Sequence, residues 1–266
     1  MLLAIDVGNT NTVFATYRER DCLGQWRLST DRERTADEYA ALLAQLMSLK
    51  GLAHREVEAI LISSVVPQAV TPLRWMCRDF FGCRAHVVGE DLPFPIAVRL
   101  DNPREVGADR IVNAVAAAKR YEPPLIIVDF GTATTFDVVG PEGDYQGGVI
   151  CAGINLSLEA LHRAAAKLPR IAVAAPERVI GRSTLEAMQS GVFWGYVGLI
   201  EGLIARIKRE FGRPMRVVAT GGLAPLLASG APVIEHVDPD LTMAGLLEIY
   251  ELNRDQIRCR RPGEAA

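Results

Sequence analysis

Residues 2–14 read Leu2-Leu3-Ala4-Ile5-Asp6-Val7-Gly8-Asn9-Thr10-Asn11-Thr12-Val13-Phe14, and residues 125–137 read Leu125-Ile126-Ile127-Val128-Asp129-Phe130-Gly131-Thr132-Ala133-Thr134-Thr135-Phe136-Asp137. The aspartates lie 123 positions apart (129 minus 6), and a leucine, a glycine and a threonine recur at the same offset. Self-similarity at a fixed offset is typical of an internal repeat. The chain therefore predicts a duplicated domain.

Each copy begins with a run of apolar residues, turns at Asp-x-Gly and resumes with β-branched residues. This pattern predicts a two-stranded hairpin with an aspartate at its tip. Strands and helices alternate after each hairpin, which is typical of a mixed sheet with flanking helices. We therefore expect two α/β domains, and an active site in the cleft between them because both copies carry a carboxylate at the hairpin tip.

The other elements follow from apolar periodicity and from helix start signals. Further strands are predicted at residues 26–29, 57–63, 149–151 and 216–219. Helices are predicted at residues 35–49, 67–81, 110–120, 156–166, 184–209 and 241–252. The predicted domains are residues 1–118 and 119–255, followed by a tail of residues 256–266.

Composition narrows the class of protein. The chain has 266 residues, of which 49% are hydrophobic and 23% charged, and its formal net charge is -3. That charge predicts small-molecule partners and no nucleic acid. The five cysteines form no C-x-x-C pair, so a reducing cytoplasm is expected rather than a disulfide framework. The N-terminus resembles no signal peptide and the apolar runs are short, so no membrane partner is expected.

The repeated turn has a physical reason to bind phosphate. Gly8 permits a tight turn, whose backbone N–H groups can cradle phosphoryl oxygens, while Asp6 can hold Mg²⁺ directly or through water. For a single copy, a structural turn in which Asp6 satisfies backbone amides is the favoured interpretation. Two copies favour function, because a structural turn need not repeat its acid and its threonine together.

A third element is the apolar run 217–219, which ends in Thr220-Gly221-Gly222 before a short helix. Paired glycines at the end of a strand leave room for a flat adenosine against the backbone. By itself this turn is weak evidence.

Two polar residues at helix starts have both a structural and a functional interpretation. Asp109 opens an alanine-rich helix, where a carboxylate is favoured as a cap or by the helix dipole, but an acid there could also be a general base. Ser183 and Glu186 form a capping-box pattern, so Thr184 could be an ordinary first-turn residue. The sequence leaves these alternatives open.

Four glycines repeat on one face of the helix predicted at residues 184–209. Gly191, Gly195, Gly198 and Gly202 recur at helical spacing and form a bare stripe that permits close approach of another helix. That helix could belong to the same chain or to a second copy.

Ordered motifs along nearly the whole chain carry a family resemblance. They are Asp6-Val7-Gly8-Asn9-Thr10-Asn11, Ser63-Ser64-Val65-Val66-Pro67, Asn102-Pro103-Arg104-Glu105-Val106-Gly107-Ala108-Asp109-Arg110, Asp129-Phe130-Gly131-Thr132-Ala133-Thr134-Thr135 and Gly181-Arg182-Ser183-Thr184. In this order they resemble the type III pantothenate kinases, a branch of the superfamily of actin, the sugar kinases and Hsp70. The resemblance implies two ribonuclease H-like, actin-like ATPase domains.

The resemblance also implies an activity, the ATP-dependent phosphorylation of pantothenate to 4'-phosphopantothenate at the start of coenzyme A synthesis. Residues implied to bind ATP are Asp6, Val7, Gly8, Asn9, Thr10, Asn11, Thr12, Val13, Thr132, Gly221 and Gly222. Asp6 would hold Mg²⁺ through the phosphates or water, and Asp129 a monovalent cation, K⁺ or NH₄⁺.

For the acceptor, the resemblance implies Asp109 as the general base. Residues implied to bind pantothenate are Leu100, Gly107, Ala108, Asp109, Arg110 and Thr184, the last across the interface of a homodimer. Many relatives have tyrosine where this chain has Leu100, and proline where it has Ala152. Neither departure removes a charged or phosphate-binding group.

Two rival functions remain at this point. One is an inactive regulatory relative of the same fold, which retention of Asp6, Asp109, Asp129 and Thr132 disfavours. The other is a kinase for a different small alcohol.

Overall fold

A computed structural model describes residues 1–165 and 168–257. The strands are β1 (Leu2–Val7), β2 (Asn11–Arg18), β3 (Asp21–Ser29), β4 (Ala59–Ser64), β5 (Ala85–Val87), β6 (Leu125–Phe130), β7 (Ala133–Val139), β8 (Tyr145–Ala152), β9 (Arg216–Thr220) and β10 (His236–Val237). The helices are α1 (Ala36–Ser48), α2 (Pro67–Phe81), α3 (Ala108–Arg120), α4 (Ile154–Ala164), α5 (Thr184–Phe211), α6 (Ala224–Ala228), α7 (Leu241–Leu252) and α8 (Arg254–Ile257). Short 3-10 helices cover His54–Glu56 and Pro103–Glu105.

The strands form two five-stranded mixed sheets with the same topology. Their orders are β3-β2-β1-β4-β5 and β10-β9-β6-β7-β8. In each sheet an antiparallel hairpin is extended by a third strand, and two parallel strands follow on the other side. The predicted duplicated α/β fold is confirmed.

The two hairpins differ by one residue at their tips, which corrects the alignment by sequence offset. Val7 pairs with Thr12, whereas Phe130, the residue that corresponds to Val7, pairs with Thr134. The sequence offset matches Thr12 with Thr135. Three residues separate β1 from β2 and two separate β6 from β7. Since a one-residue shift turns a side chain to the other face of a strand, the equivalent of the buried Thr12 is the buried Thr134.

Each sheet has its own hydrophobic core. Alternate residues of β1, namely Leu3, Ile5 and Val7, are buried in one cluster with residues of α1 and α2. Alternate residues of β6, namely Ile126, Val128 and Phe130, are buried in a second cluster with residues of α5 and α6. The other face of each strand thus remains for the two aspartates.

Contacts divide the chain into two compact units. The first comprises residues 1–97 and 101–116 together with the described residues from 242 onward, and the second comprises residues 98–100 and 117–241. Within the first unit, Thr242 of α7 donates to Asn113 of α3 (2.8 Å), and a Cβ on Gly245 would collide with the carbonyl of Val112. The domain boundaries at 118 and 255 stay a prediction, because spatial contact and descent from a repeat need not give the same division.

Most predicted elements are present, and the differences lie at ends and in short strands. The helices at 67–81 and 241–252 match α2 and α7, and α3 and α4 each begin two residues earlier than predicted. β5 and β10 have three and two residues, too few for a periodic signal. Residue 166 of the predicted fourth helix and residues 258–266 of the tail lie outside the described residues.

Two further observations bear on the composition. Cys22, Cys77 and Cys151 are free thiols. No helix in residues 1–165 and 168–257 combines the length and apolarity needed to cross a membrane.

Candidate active site

The first hairpin places a carboxylate beside a short exposed loop. Asp6 is the last residue but one of β1 and is half-buried. The loop closes through the Gly8 N–H, which donates to the carbonyl of Asn11 (3.0 Å). A Cβ on Gly8 would lie only 3.2 Å from that carbonyl oxygen. Glycine is therefore suited to this tight turn, whose residues Asn9 and Thr10 are exposed.

A buried hydroxyl lies next to Asp6 on the neighbouring strand. Ser63 of β4 is the register partner of Asp6, and the side chains of register partners leave the sheet on the same face. The Ser63 hydroxyl is fully buried and has no hydrogen-bond partner among the described protein atoms. Because a buried hydroxyl is costly to leave unsatisfied, it suits an ordered water or a ligand oxygen beside the carboxylate.

The second hairpin is closed in the same way and is supported by β8 and α4. The Gly131 N–H donates to the carbonyl of Ala133 (3.0 Å). The carbonyl of Thr132 accepts from the Gly153 N–H (3.1 Å), and a Cβ on Gly153 would collide with that carbonyl. The exposed Thr132 is thus held against the start of α4 by close backbone contact.

The glycine pair after β9 adjoins Asp129. Gly221 has a φ of +90°, and a Cβ there would lie 2.7 Å from both Asp129 Oδ1 and the Phe130 carbonyl oxygen. Only glycine tolerates both the backbone conformation and the close approach. Gly222 is exposed, and a Cβ there would meet nothing within 4 Å. As with Asp6, a buried hydroxyl residue, Thr220, is the register partner of Asp129.

Asp109 is the second residue of α3. Its Oδ1 accepts a hydrogen bond from the Arg110 N–H (2.8 Å), so the carboxylate does satisfy a helix-start amide. A Cβ on Gly107 would lie 2.6 Å from this oxygen, which explains the glycine. Burial raises the pKa of Asp109, although the bond to the Arg110 N–H and the charge of Arg110 act in the opposite direction. A perturbed carboxyl pKa of this kind is a feature of functional sites.

The segment of Asp109 adjoins the first loop within the first unit. The Val65 N–H donates to the carbonyl of Val7 (3.0 Å), the residue just before Gly8. Val65 Cγ1 lies 3.5 Å from the position that a Cβ on Gly107 would take. The structure thus brings the turn at Gly8 and the start of α3 to the same end of the first sheet.

Leu100 and Thr184 lie in the second unit. The segment of Leu100 runs along β8, because the Arg99 N–H donates to the carbonyl of Tyr145 (2.8 Å), and Leu100 Cδ2 faces Gly147. Thr184 begins α5 and is exposed. The preceding Ser183 is the cap, since its hydroxyl accepts from the Glu186 N–H (3.2 Å).

Thr184 lines an apolar groove of about 810 Å³ on the second unit. The groove runs along α5 and includes Gly191, Gly195 and the half-exposed Leu161. A Cβ on Gly191, Gly195 or Gly198 would meet nothing within 4 Å. These three glycines therefore serve no close packing among the described residues.

Comparison with known proteins shows the family. Residues 2–206 match the family model described as type III pantothenate kinase. A type III pantothenate kinase of Paramagnetospirillum magneticum is 59% identical over 259 residues, which cover 97% of this chain and 100% of the relative. The chain belongs to the type III pantothenate kinase family. It is therefore a kinase by descent, and the resemblance carried by the ordered motifs is confirmed.

Solved structures of low identity share the fold of this pantothenate kinase family member. A conserved putative Baf family transcriptional activator from Campylobacter jejuni has a TM-score of 0.62 at 19% identity, with 95% of this chain and 99% of that chain covered. A putative 2-dehydro-3-deoxygalactonokinase from Sinorhizobium meliloti has a TM-score of 0.59 at 12% identity, with 95% and 99% covered. At these identities the likeness shows the fold alone.

Three hydroxyl residues near the proposed site of the kinase were not predicted from the sequence. Ser63 and Thr220 are the strand partners of the two aspartates, and Thr30 contacts the first loop. Ser63 lies in the motif Ser63-Ser64-Val65-Val66-Pro67, and Thr220 directly precedes the glycine pair. A hydroxyl residue therefore recurs at the end of an apolar run in each half of the chain, and this recurrence could have indicated both positions. Thr30 had none, because only the pairing of β2 with β3 brings it to the loop.

Proposed function

We propose that this kinase transfers the γ-phosphoryl group of ATP to the 4'-hydroxyl of pantothenate, the first step of coenzyme A biosynthesis. The observation that carries the proposal is Asp109, a carboxylate with a raised pKa at the end of the sheet where the Gly8 loop lies. The near full-length match to type III pantothenate kinases supports the choice of acceptor.

In the proposed reaction Asp109 is the general base. It accepts the proton of the attacking hydroxyl as the new O–P bond forms and the bond between the γ-phosphorus and the ADP oxygen breaks. Arg110, the next residue, stabilises the developing charge or binds the pantothenate carboxylate. Gly107 and Ala108 complete the wall of this part of the acceptor site, and Leu100 and Thr184 also contact pantothenate.

The ATP site is assigned to both hairpins. Asp6 to Val13 and Thr132 bind the phosphates, and Gly221 with Gly222 accepts the adenosine, for which the open space at Gly222 leaves room. Asp6 holds Mg²⁺ through the phosphates or water, and the unsatisfied Ser63 hydroxyl beside it suits such a water. When bound, Mg²⁺ neutralises charge on the phosphates.

Asp129 is proposed to hold a monovalent cation, K⁺ or NH₄⁺. Asp129 Oδ1 and the Phe130 carbonyl oxygen both lie 2.7 Å from the position that a Cβ on Gly221 would take. Oxygen ligands of this kind suit a hard cation. The cation would hold the second loop in place for the phosphates.

We also propose a cytoplasmic homodimer that forms through the groove on α5. A second copy can cover an apolar face of α5 that carries Gly191, Gly195 and Gly198 together with the exposed Leu185 and Trp194. A Cβ on any of the three glycines would meet nothing within 4 Å among the described residues. Thr184 at the rim of this face would then lie close to the pantothenate of the partner.

The decisive experiment is an assay that couples ADP release to a spectroscopic signal, with Mg-ATP and pantothenate, in K⁺ and in Na⁺ buffers. Turnover that needs pantothenate and is faster in K⁺ is expected. Absence of turnover in K⁺ would contradict the proposal and favour an inactive regulatory relative. A short panel of other small alcohols, run in parallel, tests the acceptor, since a better substrate in that panel would replace pantothenate.

A further inference from the structure

One residue outside the loop between β1 and β2, Thr30, holds this loop by hydrogen bonds. Thr30 follows β3, the edge strand that pairs with β2. Its N–H donates to the carbonyl of Thr10 (2.9 Å), and its hydroxyl donates to the carbonyl of Gly8 (2.7 Å). Two of the three loop carbonyls, Gly8 and Thr10, are therefore engaged by the same residue.

A third bond connects Thr30 to the start of β2. The hydroxyls of Thr30 and Thr12 lie 3.0 Å apart, and Thr12 is fully buried. A hydroxyl has one proton to donate, and that of Thr30 goes to the carbonyl of Gly8. The Thr12 hydroxyl must then be the donor to Thr30, which gives a chain of bonds from Thr12 through Thr30 to Gly8. Each bond in such a chain polarises the next.

These bonds determine the direction of the loop amides. A peptide group is planar and trans, so its C=O and its N–H point in opposite directions. Since Thr30 holds the carbonyls of Gly8 and Thr10, the N–H groups of Asn9 and Asn11 point away from Thr30. Backbone N–H groups that point outward from a turn form an anion-binding surface.

We propose that Thr30 is a positioning residue for ATP, which orients the Asn9 and Asn11 amides toward the phosphates through its bonds to Gly8 and Thr10. The inference rests on the proposed function, because it needs the Gly8 loop to bind ATP. Thr30 itself does not touch the nucleotide. Its effect is on the geometry of the loop, so it should appear in the KM for ATP rather than in the chemical step.

The test compares Thr30→Val, which keeps the backbone bond to Thr10 but removes the hydroxyl, with the conservative Thr30→Ser. Thr30→Val should raise the KM for ATP about tenfold, because ATP must then order a loop that the hydroxyl no longer holds and one hydrogen bond is worth about this factor, while the KM for pantothenate stays within about twofold. Thr30→Ser should restore the KM for ATP to within about threefold of the parent, since its hydroxyl can make the same bonds.

The matched control is Thr16→Val on β2, the strand that pairs with β3. Thr16 is also fully buried, and its hydroxyl faces the carbonyl of Gly24 (3.5 Å), away from the loop. This variant should leave the KM for ATP unchanged. Amide hydrogen exchange of the full-length protein without nucleotide should be faster in residues 8–11 for Thr30→Val and unchanged for Thr16→Val.

The outcomes separate this inference from the proposed function. If Thr30→Val leaves either loop exchange or the KM for ATP at the parent value, the positioning role is wrong. The variant Gly8→Ala, whose methyl group crowds the Asn11 carbonyl, then tests whether the loop binds the phosphates at all. A raised KM for ATP in Gly8→Ala would keep the loop as the phosphate site, whereas an unchanged KM would also overturn that assignment.

Discussion

At the scale of single residues, Asp109 combines a structural and a proposed catalytic role. The sequence leaves a helix cap and a general base as alternatives, whereas in the structure Oδ1 accepts a hydrogen bond from the Arg110 N–H and burial raises the pKa of the carboxyl group. A bond to a helix-start amide stabilises the carboxylate, and burial destabilises it. The net rise means that desolvation is the larger effect, which suits a base that must accept a proton.

Asp109→Asn should lower the rate of phosphoryl transfer by at least about two decades, the usual effect of losing a general base. The fold should survive, because the amide oxygen can still accept the Arg110 N–H. The measurement is steady-state kinetics with saturating ATP and pantothenate. The control is Asp79→Asn, an exposed carboxylate that is ion-paired with Arg78. A rate near that of the parent would leave Asp109 as a cap only.

The same substitution should stabilise the protein at neutral pH. The folded-state pKa of Asp109 lies above its unfolded value, so the folded protein binds more protons between the two values and stability falls as pH rises through them. Asparagine has no charge to bury. Thermal melts from acid to neutral pH should therefore show the largest gain of Asp109→Asn above the folded pKa, and a gain that is equal at all pH values would contradict the shift.

At the scale of secondary-structure elements, α5 has two different faces. Phe193, Ile200 and Ile204 are buried in the core of the second unit, while the glycine stripe is exposed. Glycine is a poor helix former, so three exposed glycines on one helix lower its intrinsic stability. Close approach of a partner helix is a physical reason to keep them.

Gly195→Lys should abolish the proposed dimer without loss of the fold. A Cβ at this position would meet nothing within 4 Å among the described residues, and lysine favours the helix more than glycine does. Light scattering coupled to size exclusion should show a monomer. The control, Glu210→Lys, adds a lysine at an exposed position in the last turn of α5, about four turns from Gly195, and should leave the proposed dimer intact. A dimeric Gly195→Lys would place the interface elsewhere.

At the scale of the whole molecule, the duplication gives two sheets with one topology but different tips. The first copy has one more residue in its loop, and Thr30, which follows β3, holds this loop by hydrogen bonds. The shorter loop of the second copy is held by Gly153, which lies between β8 and α4. The two copies therefore present a carboxylate in the same register position, next to a hydroxyl residue on the parallel strand, with different loops beyond it.

Mg-ATP should raise the stability of the chain, because a ligand that binds only the folded state stabilises it by mass action. At a concentration of about 100 times Kd the free energy of unfolding should rise by about 2.7 kcal/mol. Differential scanning fluorimetry with and without Mg-ATP measures the shift. Asp6→Asn should give a smaller shift at the same concentration, since it weakens the Mg²⁺ site. An equal shift in the variant would remove Asp6 from the nucleotide site.

Sequence alone determined the duplicated hairpins, the order of the main helices and strands, and the family, because these depend on local apolar periodicity and on ordered motifs. The tertiary structure decided the rest. Only strand pairing shows that Thr134, rather than Thr135, corresponds to Thr12, that Ser63 and Thr220 lie beside the two aspartates, and that Thr30 holds the Gly8 loop. Register and long-range hydrogen bonds join residues that are distant in the chain, and the periodicity of a single segment does not contain them.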